Sequence, residues 1–478
     1  MKNISFVSCP ISELPDKVSL ILSQKFGSAF KQEKVKASIT NRLIGIRTDL
    51  NVCIEYPYVD KLYRNTYYNY FSTKHEDYSR HSVRISFFKN GYDVTKLEDD
   101  NPTQGNECVG YFCLRPLYPA FFGRGLLAAE CLDKTGLSFC SYEDNVVIAG
   151  KRFKLKGFPF AAQDDEYTKC AEMCIWEVLE YFGQKYHEHR AALPSEIIAA
   201  LSKYSYERQV PSKGLFVQEI SYALKEFNFG VRIYHRNAYN SVLYPDKIRE
   251  FYRTLYYYVN SGLPIICILK NGKETCHGVV YIGYKKPNVD NPDAPKLSHT
   301  IKTDSFVDID VLDHGDFIEH YVVIDDNRMS YQVANFTLSA KKKDFNYDSY
   351  YTSPAFENME LISFVVPLHP KMYLEASQAR EFIFKILKQY PIRNTEYKPL
   401  YLRLFLTTGR SFKSWVAKEK DIDSKVRELI ISSDTSKFIW VGELSNKALS
   451  AEQKAVGFVI IDATQTNVRT LDSLIFLY

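Results

Sequence analysis

The stretch QDDEYTKCAEMCIWEVLEYFG, residues 163–183, passes from a polar lead-in directly into helical periodicity. Its apolar positions recur at spacings of three and four residues, which places them on one stripe of a helix. These positions are Ala171, Cys174, Ile175, Val178, Leu179 and Phe182. Thr168 is the predicted N-cap, and Gly183 is the predicted C-terminal cap. The stretch therefore predicts a core helix whose first turn carries Cys170.

A cysteine in the first turn of a helix has a setting that favours its thiolate. The unpaired backbone amides and the helix dipole both stabilise negative charge there. The apolar stripe centres near Ile175 and Val178, so Cys170 lies roughly 110° from that centre, whereas Cys174 lies inside the stripe. We expect Cys170 to face a cleft and Cys174 to pack. The alternative is that Cys170 is also an inert buried side chain.

Three short apolar runs downstream have the length and β-branched content of strands. They are PIICIL (264–269), HGVVYIGY (277–284) and HYVVID (320–325). His277 opens the second run, and Asp325 ends the third. A histidine at the mouth of a strand is well placed to reach a helix N-terminus across a cleft, although a hydrogen-bonded histidine at a strand end is the simpler alternative.

Cysteine hydrolases need a thiolate, a histidine base, a group that orients the histidine, and donors for the oxyanion. Cys170 and His277 are the candidate nucleophile and base. Asp325 is the candidate orienting residue because it directly ends the apolar run, with Asp326 in reserve. Asn327 follows and is a third side chain capable of holding the imidazole.

Residues 163–183 resemble the nucleophile segment of papain-like cysteine peptidases related to those that remove double-glycine leader peptides from bacteriocins. In that group a glutamine precedes the catalytic cysteine, which opens the central helix, and a Leu-x-Tyr-Phe-Gly ending closes it; here thirteen residues separate Cys170 from Gly183. The resemblance implies a central helix packed on an antiparallel sheet and a Cys170, His277, Asp325 triad. It also implies that Gln163 and the Cys170 amide bind the oxyanion.

The sequence departs from this group in three places. Gln163 lies seven residues before Cys170, where the group has six, so an exposed loop glutamine is the alternative. Ala171 stands where a glycine is usual. His277 and Asp325 are far apart because of an excursion at 285–319, rich in Asp, Pro and Lys, which we interpret as a mobile loop, a lid or a small subdomain.

The whole chain is predicted to be α+β, with a papain-like domain at 151–370 that contains this excursion. Two α+β regions of unknown role flank it, at 1–150 and 371–478; they resemble an uncharacterised group of bacterial proteins, which supplies no activity. An aromatic and basic segment, 56–84, is either a stacking surface for bases or an amphipathic helix packed on the next domain. We favour the packed helix.

The composition is that of an ordinary soluble globular protein, with 45% hydrophobic and 25% charged residues among 478. The net charge of +4 is interspersed, so no nucleic-acid partner is expected. No leader or membrane-spanning run is visible, which favours a cytoplasmic protein without a membrane partner. Arg64, Arg115 and Arg124 are candidates for anion binding, although ion pairs with neighbouring carboxylates are the preferred interpretation.

The ten cysteines have no repeated spacing and no matching histidine cluster, so we expect free thiols, no metal site and no cofactor. The predicted function is thiol-dependent hydrolysis of peptide or isopeptide bonds in a protein or peptide substrate. A thiol acyltransferase uses the same residues, and a non-catalytic binding or assembly module is the alternative from another class. The presence of Cys, His, Asp and Gln together favours catalysis. The sequence leaves the oligomeric state open.

Overall fold

This computed structural model combines helices with mainly antiparallel sheets, which confirms the α+β class. It describes residues 4–92, 105–134, 136–239, 246–271, 276–285, 299–302, 308–336, 345–347, 359–390, 399–419, 422–451, 454–466 and 473–477. The helices are α1 (Leu14–Phe26), α2 (Gln32–Arg42), α3 (Lys61–Asn69), α4 (Cys170–Lys185), α5 (Pro194–Tyr204), α6 (Val217–Glu226), α7 (Asp246–Asn260), α8 (Ala376–Gln389), α9 (Gly409–Lys418), α10 (Ser424–Ser432) and α11 (Lys447–Ala451).

The strands form three sheets within these residues. They are β1 (Ser5–Pro10), β2 (Asn51–Tyr58), β3 (Ser82–Phe88), β4 (Cys108–Leu114), β5 (Phe122–Leu127), β6 (Leu137–Phe139), β7 (Tyr142–Ile148), β8 (Lys151–Ala161), β9 (Gly230–His235), β10 (Ile265–Lys270), β11 (Cys276–Lys285), β12 (His299–Lys302), β13 (Asp308–Asp313), β14 (His320–Ile324), β15 (Gln332–Phe336), β16 (Phe345–Tyr347), β17 (Glu360–Leu368), β18 (Leu400–Thr408), β19 (Phe438–Ser445), β20 (Gly457–Asp462) and β21 (Ser473–Leu477).

The first sheet has the antiparallel order β1-β2-β3-β4-β5-β8-β7. Its last strand in the chain, β8, pairs with β7 from Tyr142↔Gly157 to Ile148↔Lys151. The domain boundary predicted at residue 150 therefore falls in the turn of a hairpin. Strand β8 belongs to the N-terminal sheet and then delivers the chain to α4.

The central sheet has the order β16-β15-β14-β11-β10-β17-β9, and β6 also pairs with β11. Its neighbouring strands are antiparallel. Along β10, Ile266 and Ile268 pack into one hydrophobic core, whereas Ile265, Cys267 and Leu269 pack into another. Both faces are covered, which explains why these strands read as unbroken apolar runs.

The third sheet has the order β12-β13-β18-β19-β20-β21 and includes part of the 285–319 excursion. Strand β13 runs parallel to β18, with Val311 opposite Leu400. Ile309 and Val311 are fully buried, because the alternating sequence DIDVLD turns its apolar positions into the core. The lid interpretation is thus wrong for β12 and β13, which are sheet strands. Residues 286–298 and 303–307 lie outside the described part of the chain.

The third sheet packs against the central sheet. Side chains of α7, α8, the central sheet and β18 to β20 share a single hydrophobic core. Asn260, the last residue of α7, donates from Nδ2 to the carbonyl of Leu404 in β18 at 3.1 Å. The region predicted at 371–478 therefore shares a hydrophobic core with the region that precedes it.

Helix α4 is buried on all sides from Ala171 to Phe182, not on one stripe alone. Three glutamates are buried with it, and each has a specific partner. Glu172 accepts from Ser212 Oγ at 2.5 Å, Glu177 from the Ala161 amide at 3.1 Å, and Glu180 from Lys61 Nζ at 2.6 Å. Buried carboxylates persist when they are paired in this way. The sequence pattern had predicted only the apolar face.

Gly183 does not end α4, which continues to Lys185. A Cβ built at Gly183 would lie 2.1 Å from the amide nitrogen of Ala191. Gly183 is therefore explained by the close approach of the following loop. The predicted C-terminal cap at this position is wrong.

The aromatic segment at 56–84 contains α3, which packs on the following region as predicted. Asn65 in this helix donates to Ser195 Oγ at 2.8 Å and accepts from the Ser195 amide at 3.0 Å. Farther along, Tyr70 and Lys74 both contact Glu166, at 2.8 and 2.6 Å. These contacts join the N-terminal region to the loop that precedes Cys170.

All ten cysteines lie in the described part of the chain, and none of them forms a disulfide there. Among the helices of the described residues, none has the length and apolarity needed to cross a membrane.

Candidate active site

Cys170 is the first residue of α4, as the sequence pattern predicts. The predicted cap is wrong, because Lys169 is the N-cap residue and the Thr168 hydroxyl is buried without a hydrogen-bond partner. The Lys169 amide donates to Glu172 Oε2 at 3.1 Å, which satisfies one donor at this helix end. Cys170 is half-buried, whereas Cys174 is only 3% exposed. The predicted difference between the two thiols is confirmed.

Strand β11 lies directly against the first turn of α4. The amide of Gly278 donates to Cys170 Sγ at 3.4 Å. A Cβ built at Gly278 would lie 3.5 Å from Cys174 Sγ and 3.7 Å from Ala171. These are ordinary van der Waals distances, which shows that the strand is in direct contact with the first turn of the helix. As a result, His277 stands beside the thiol of Cys170.

His277 is held between Cys170 and Asp325. Its Nε2 lies 2.9 Å from Asp325 Oδ1, and the amide of the next residue, Gly278, donates to Cys170 Sγ at 3.4 Å. Because Nε2 faces the carboxylate, Nδ1 is the ring nitrogen left for the thiol. The structure therefore brings together the three residues that the sequence singled out from separate elements.

The charges of this group stabilise one another. Burial alone lowers the pKa of His277, but the Asp325 carboxylate and the hydrogen bonds to Asp325 and Cys170 outweigh it and raise the pKa well above its usual value. Burial likewise raises the pKa of Asp325, yet His277 and the Asn327 amide lower it to about 2. Both shifts favour an imidazolium paired with a carboxylate next to Cys170.

Asp326, the reserve candidate, lies farther from the imidazole than Asp325. Its Oδ1 is 3.7 Å from His277 Nε2, and both of its carboxyl oxygens are buried without a hydrogen-bond partner. Burial and the adjacent Asp325 raise the pKa of Asp326 to about 7, although His277 and Arg42 act in the opposite direction. The geometry favours Asp325 as the orienting residue.

Asn327, the third candidate, is exposed and lies at the surface of this group. Its amide donates to Asp325 Oδ1 at 3.0 Å, and its Nδ2 is 3.5 Å from His277 Nε2. Gln163 is half-buried, and its Nε2 donates to Asn327 Oδ1 at 3.3 Å. The structure therefore links the fourth predicted residue to His277 and Asp325 through Asn327.

The three arginines considered from the sequence have different partners. Arg124 forms an ion pair with Asp60, as predicted. Arg64 donates from Nε to the Arg80 carbonyl at 3.1 Å. Arg115 donates to backbone carbonyls that include the carbonyl of Gln163. Sequence reasoning missed this contact, because no local pattern links β4 to the loop before α4.

His277, Asp325 and Asp326 also form a group whose potential metal-ligating atoms all lie within 4.8 Å of one another. His277 Nε2 and Asp325 Oδ1 in this group already form a hydrogen bond with each other. Elsewhere, a cavity of about 550 Å³ opens on the N-terminal sheet beside β6, with Lys89, Phe139 and Lys154 in its lining. Neither Cys170 nor His277 lines that cavity.

No family model matches the chain, and no curated protein matches it at a significant level.

Proposed function

We propose that the chain is a papain-like cysteine hydrolase that cleaves peptide or isopeptide bonds, with Cys170 as nucleophile. The observation that carries the proposal is the placement of the Cys170 thiol at a helix N-terminus, beside an imidazole whose far nitrogen is held by Asp325 at 2.9 Å. A helix start and a neighbouring imidazolium are the two features that activate cysteine nucleophiles.

In the proposed reaction, the Cys170 thiolate attacks the carbonyl carbon of the substrate and forms a carbon–sulfur bond. Negative charge moves to the carbonyl oxygen, for which the Cys170 amide and the Gln163 side chain are the proposed donors. His277 gives its Nδ1 proton to the leaving nitrogen as the carbon–nitrogen bond breaks. A thioester remains on Cys170.

Water completes the proposed cycle. The neutral His277 takes a proton from the attacking water, the carbon–sulfur bond breaks, and the carboxylic acid leaves. Asp325 keeps Nε2 protonated and the ring oriented in both halves of the cycle. If an amine took the place of water, the same residues would perform acyl transfer.

The energetic setting favours catalysis over a passive docking role. A buried imidazolium and carboxylate, with a second carboxyl that lacks hydrogen bonds, are poor contributors to stability compared with apolar residues of similar size. A docking module gains nothing from this arrangement. A catalytic site does, because the imidazolium stabilises the Cys170 thiolate as nucleophile and carries the proton for the leaving group.

The test is the reaction of each thiol with iodoacetamide between pH 5 and pH 9, followed by peptide mass spectrometry. Cys276 is exposed and lies next to His277 in the chain, so it provides the reference thiol. We expect Cys170 to react faster than Cys276 at pH 6, where an ordinary thiol with a pKa of about 8.5 is mostly protonated.

Turnover is then measured with a library of fluorescence-quenched peptides. Cys170→Ala should abolish every activity that iodoacetamide abolishes. If Cys170 reacted no faster than Cys276, and no peptide were cleaved, the binding-module alternative would replace this proposal.

A further inference from the structure

One buried guanidinium next to the N-terminal sheet is hydrogen-bonded to the loop that leads to Cys170. This guanidinium belongs to Arg115, the residue after the end of β4, which is only 3% exposed. Its Nε donates to the Ala120 carbonyl at 2.9 Å. Its Nη2 donates to two consecutive carbonyls, Ala162 at 3.0 Å and Gln163 at a shorter distance.

This set of partners holds the backbone of Gln163 in place. A buried guanidinium is costly unless its N–H groups are hydrogen-bonded, so the protein cannot easily give up these contacts. Two successive carbonyls directed at one nitrogen leave little freedom for the peptide plane between them. The peptide that carries Gln163 is therefore held from the side of the N-terminal sheet.

The loop after Gln163 is constrained from within. Asp164 Oδ1 accepts from the amides of Glu166, Tyr167 and Thr168, at 3.2, 2.7 and 2.8 Å. Glu166 is in turn held by Lys74 at 2.6 Å. The chain from Gln163 to the start of α4 thus has a fixed course, and the Gln163 side chain projects from a rigid base.

We propose that Arg115 is a positioning residue that fixes the Gln163 side-chain amide as an oxyanion donor. This inference rests on the proposed function. It assigns the N-terminal region an indirect part in the chemistry, since its buried arginine sets the geometry of a donor in the neighbouring active site. Oxyanion donors act only at short range, and a displacement of about 1 Å is enough to lose most of their effect.

Two reactions of Cys170 separate this role from general damage to the site. Acylation by p-nitrophenyl acetate passes through a tetrahedral oxyanion, whereas alkylation by iodoacetamide displaces iodide and forms no oxyanion. Both need the same thiolate, and neither needs knowledge of the natural substrate. The rate remaining in Cys170→Ala is subtracted to remove the contribution of other thiols.

For Arg115→Lys we expect acylation of Cys170 to slow about tenfold or more, with alkylation changed less than about twofold. Lysine keeps the charge but cannot reach all three carbonyls with one nitrogen. The matched control is Arg84→Lys. Arg84 is equally buried in the same sheet and pairs with Glu55, with the Val147 carbonyl as a further partner. Arg84→Lys should leave the ratio of the acylation rate to the alkylation rate unchanged.

Gln163→Ala should slow acylation about a hundredfold and spare alkylation. In the double variant with Arg115→Lys, the arginine substitution should have no further effect on acylation, because Arg115 acts through Gln163. Additive losses in the double variant would overturn the inference. So would equal losses of acylation and alkylation in Arg115→Lys.

The Gln163→Ala variant also decides the matter if Arg115→Lys does not fold. Gln163 is on the surface side of the loop, and its truncation should be tolerated. Normal acylation in Gln163→Ala would overturn the role of Arg115 while leaving the nucleophile assignment intact. By contrast, a wild-type Cys170 that reacts with neither reagent would contradict the proposed function itself.

Discussion

Two of the buried-charge clusters among the described residues differ in how fully their carboxyl groups are hydrogen-bonded. One is the His277 cluster, defined as His277, Asp325 and Asp326. The other is the Asp313 cluster, defined as Asp313 with Asp316, Arg253, Arg380 and Tyr257.

In the Asp313 cluster every carboxylate oxygen has a partner. Arg253 binds both oxygens of Asp316, at 2.6 and 2.7 Å. Asp313 accepts from the Gly315 amide and from Arg380 Nε, both at 2.9 Å, and from the Tyr257 hydroxyl. The arginines outweigh the effect of burial and lower the pKa of Asp313. This cluster joins β13, α7 and α8, and the full pairing of its carboxylates is typical of a structural ion network, although Arg380 Nη2 is buried without a hydrogen-bond partner.

The His277 cluster is incomplete by comparison. Asp326 has no hydrogen-bond partner for either oxygen, and the imidazole adjoins a half-buried thiol at a helix start. Unsatisfied polar groups in a folded protein call for an explanation, and function is a frequent one. The comparison teaches that the cluster with an unpaired carboxyl is the better candidate for chemistry, while the cluster whose carboxylates are all paired supports the fold.

The largest expected effect is on the reactivity of the Cys170 thiol, which adjoins the His277 cluster. His277→Asn removes the imidazolium beside Cys170, so alkylation of Cys170 at pH 7 should slow about 10³-fold, equivalent to about 4 kcal/mol. The measurement is the rate of iodoacetamide labelling by mass spectrometry. His235→Asn is the matched control, because His235 is bonded to Ser363 on β17 and should leave the rate unchanged. Equal rates in wild type and His277→Asn would remove the distinction between the clusters.

The next effect concerns stability in the Asp313 cluster. Asp313→Ala leaves Arg380 and Tyr257 without their carboxylate, and the free energy of unfolding should fall by about 3 kcal/mol. Urea denaturation measures this loss, and Cys170 labelling of the folded protein should not change. Asp310→Ala, an exposed position on the same strand, should change stability by less than about 0.5 kcal/mol. A slower Cys170 in Asp313→Ala would show that the two clusters are coupled.

A smaller effect is expected in the pH dependence of stability. Asp326 has a folded pKa of about 7, above its ordinary value, so the folded state binds the extra proton and stability falls as pH rises from about 4 to 7. Asp325, with a pKa of about 2, contributes stability that is lost only as pH falls toward 2. His277 contributes stability that is lost only as pH rises through its raised pKa.

Asp326→Asn should therefore flatten the stability curve between pH 5 and pH 7, a change of about 2 kcal/mol across that range. The measurement is the urea midpoint of wild type and variant at each pH. A variant curve parallel to that of the wild type would show that Asp326 does not take up a proton in this range.

The smallest effect separates the two thiols on α4. Cys174→Ala trims a fully enclosed side chain and should cost about 1 kcal/mol of stability. Cys170 labelling should persist in this variant, whereas Cys170→Ala should lose labelling with little change in stability. Loss of Cys170 labelling in a stable Cys174→Ala protein would contradict the assignment of separate roles.

Several parts of the fold were beyond the reach of sequence patterns. Apolar periodicity does not predict α5 or α7. The composition of 285–319 predicts a loop where the structure has β12 and β13. Strand β13 joins the third sheet by pairing in parallel with β18, which lies far along the chain. Pairing between distant segments depends on the packing of the whole molecule, and no local spacing encodes it.

The sequence by itself determined the local settings of the candidate residues: a cysteine at the start of a helix, a histidine at the start of a strand, and an aspartate at the end of another. Periodicity and polar boundaries are properties of neighbouring residues, so they can be read directly. Tertiary structure alone decided that these ends meet, that Asp325 lies closer than Asp326, and that Arg115 holds Gln163. Those outcomes depend on distances between elements from different sheets, which are set when the sheets pack against α4.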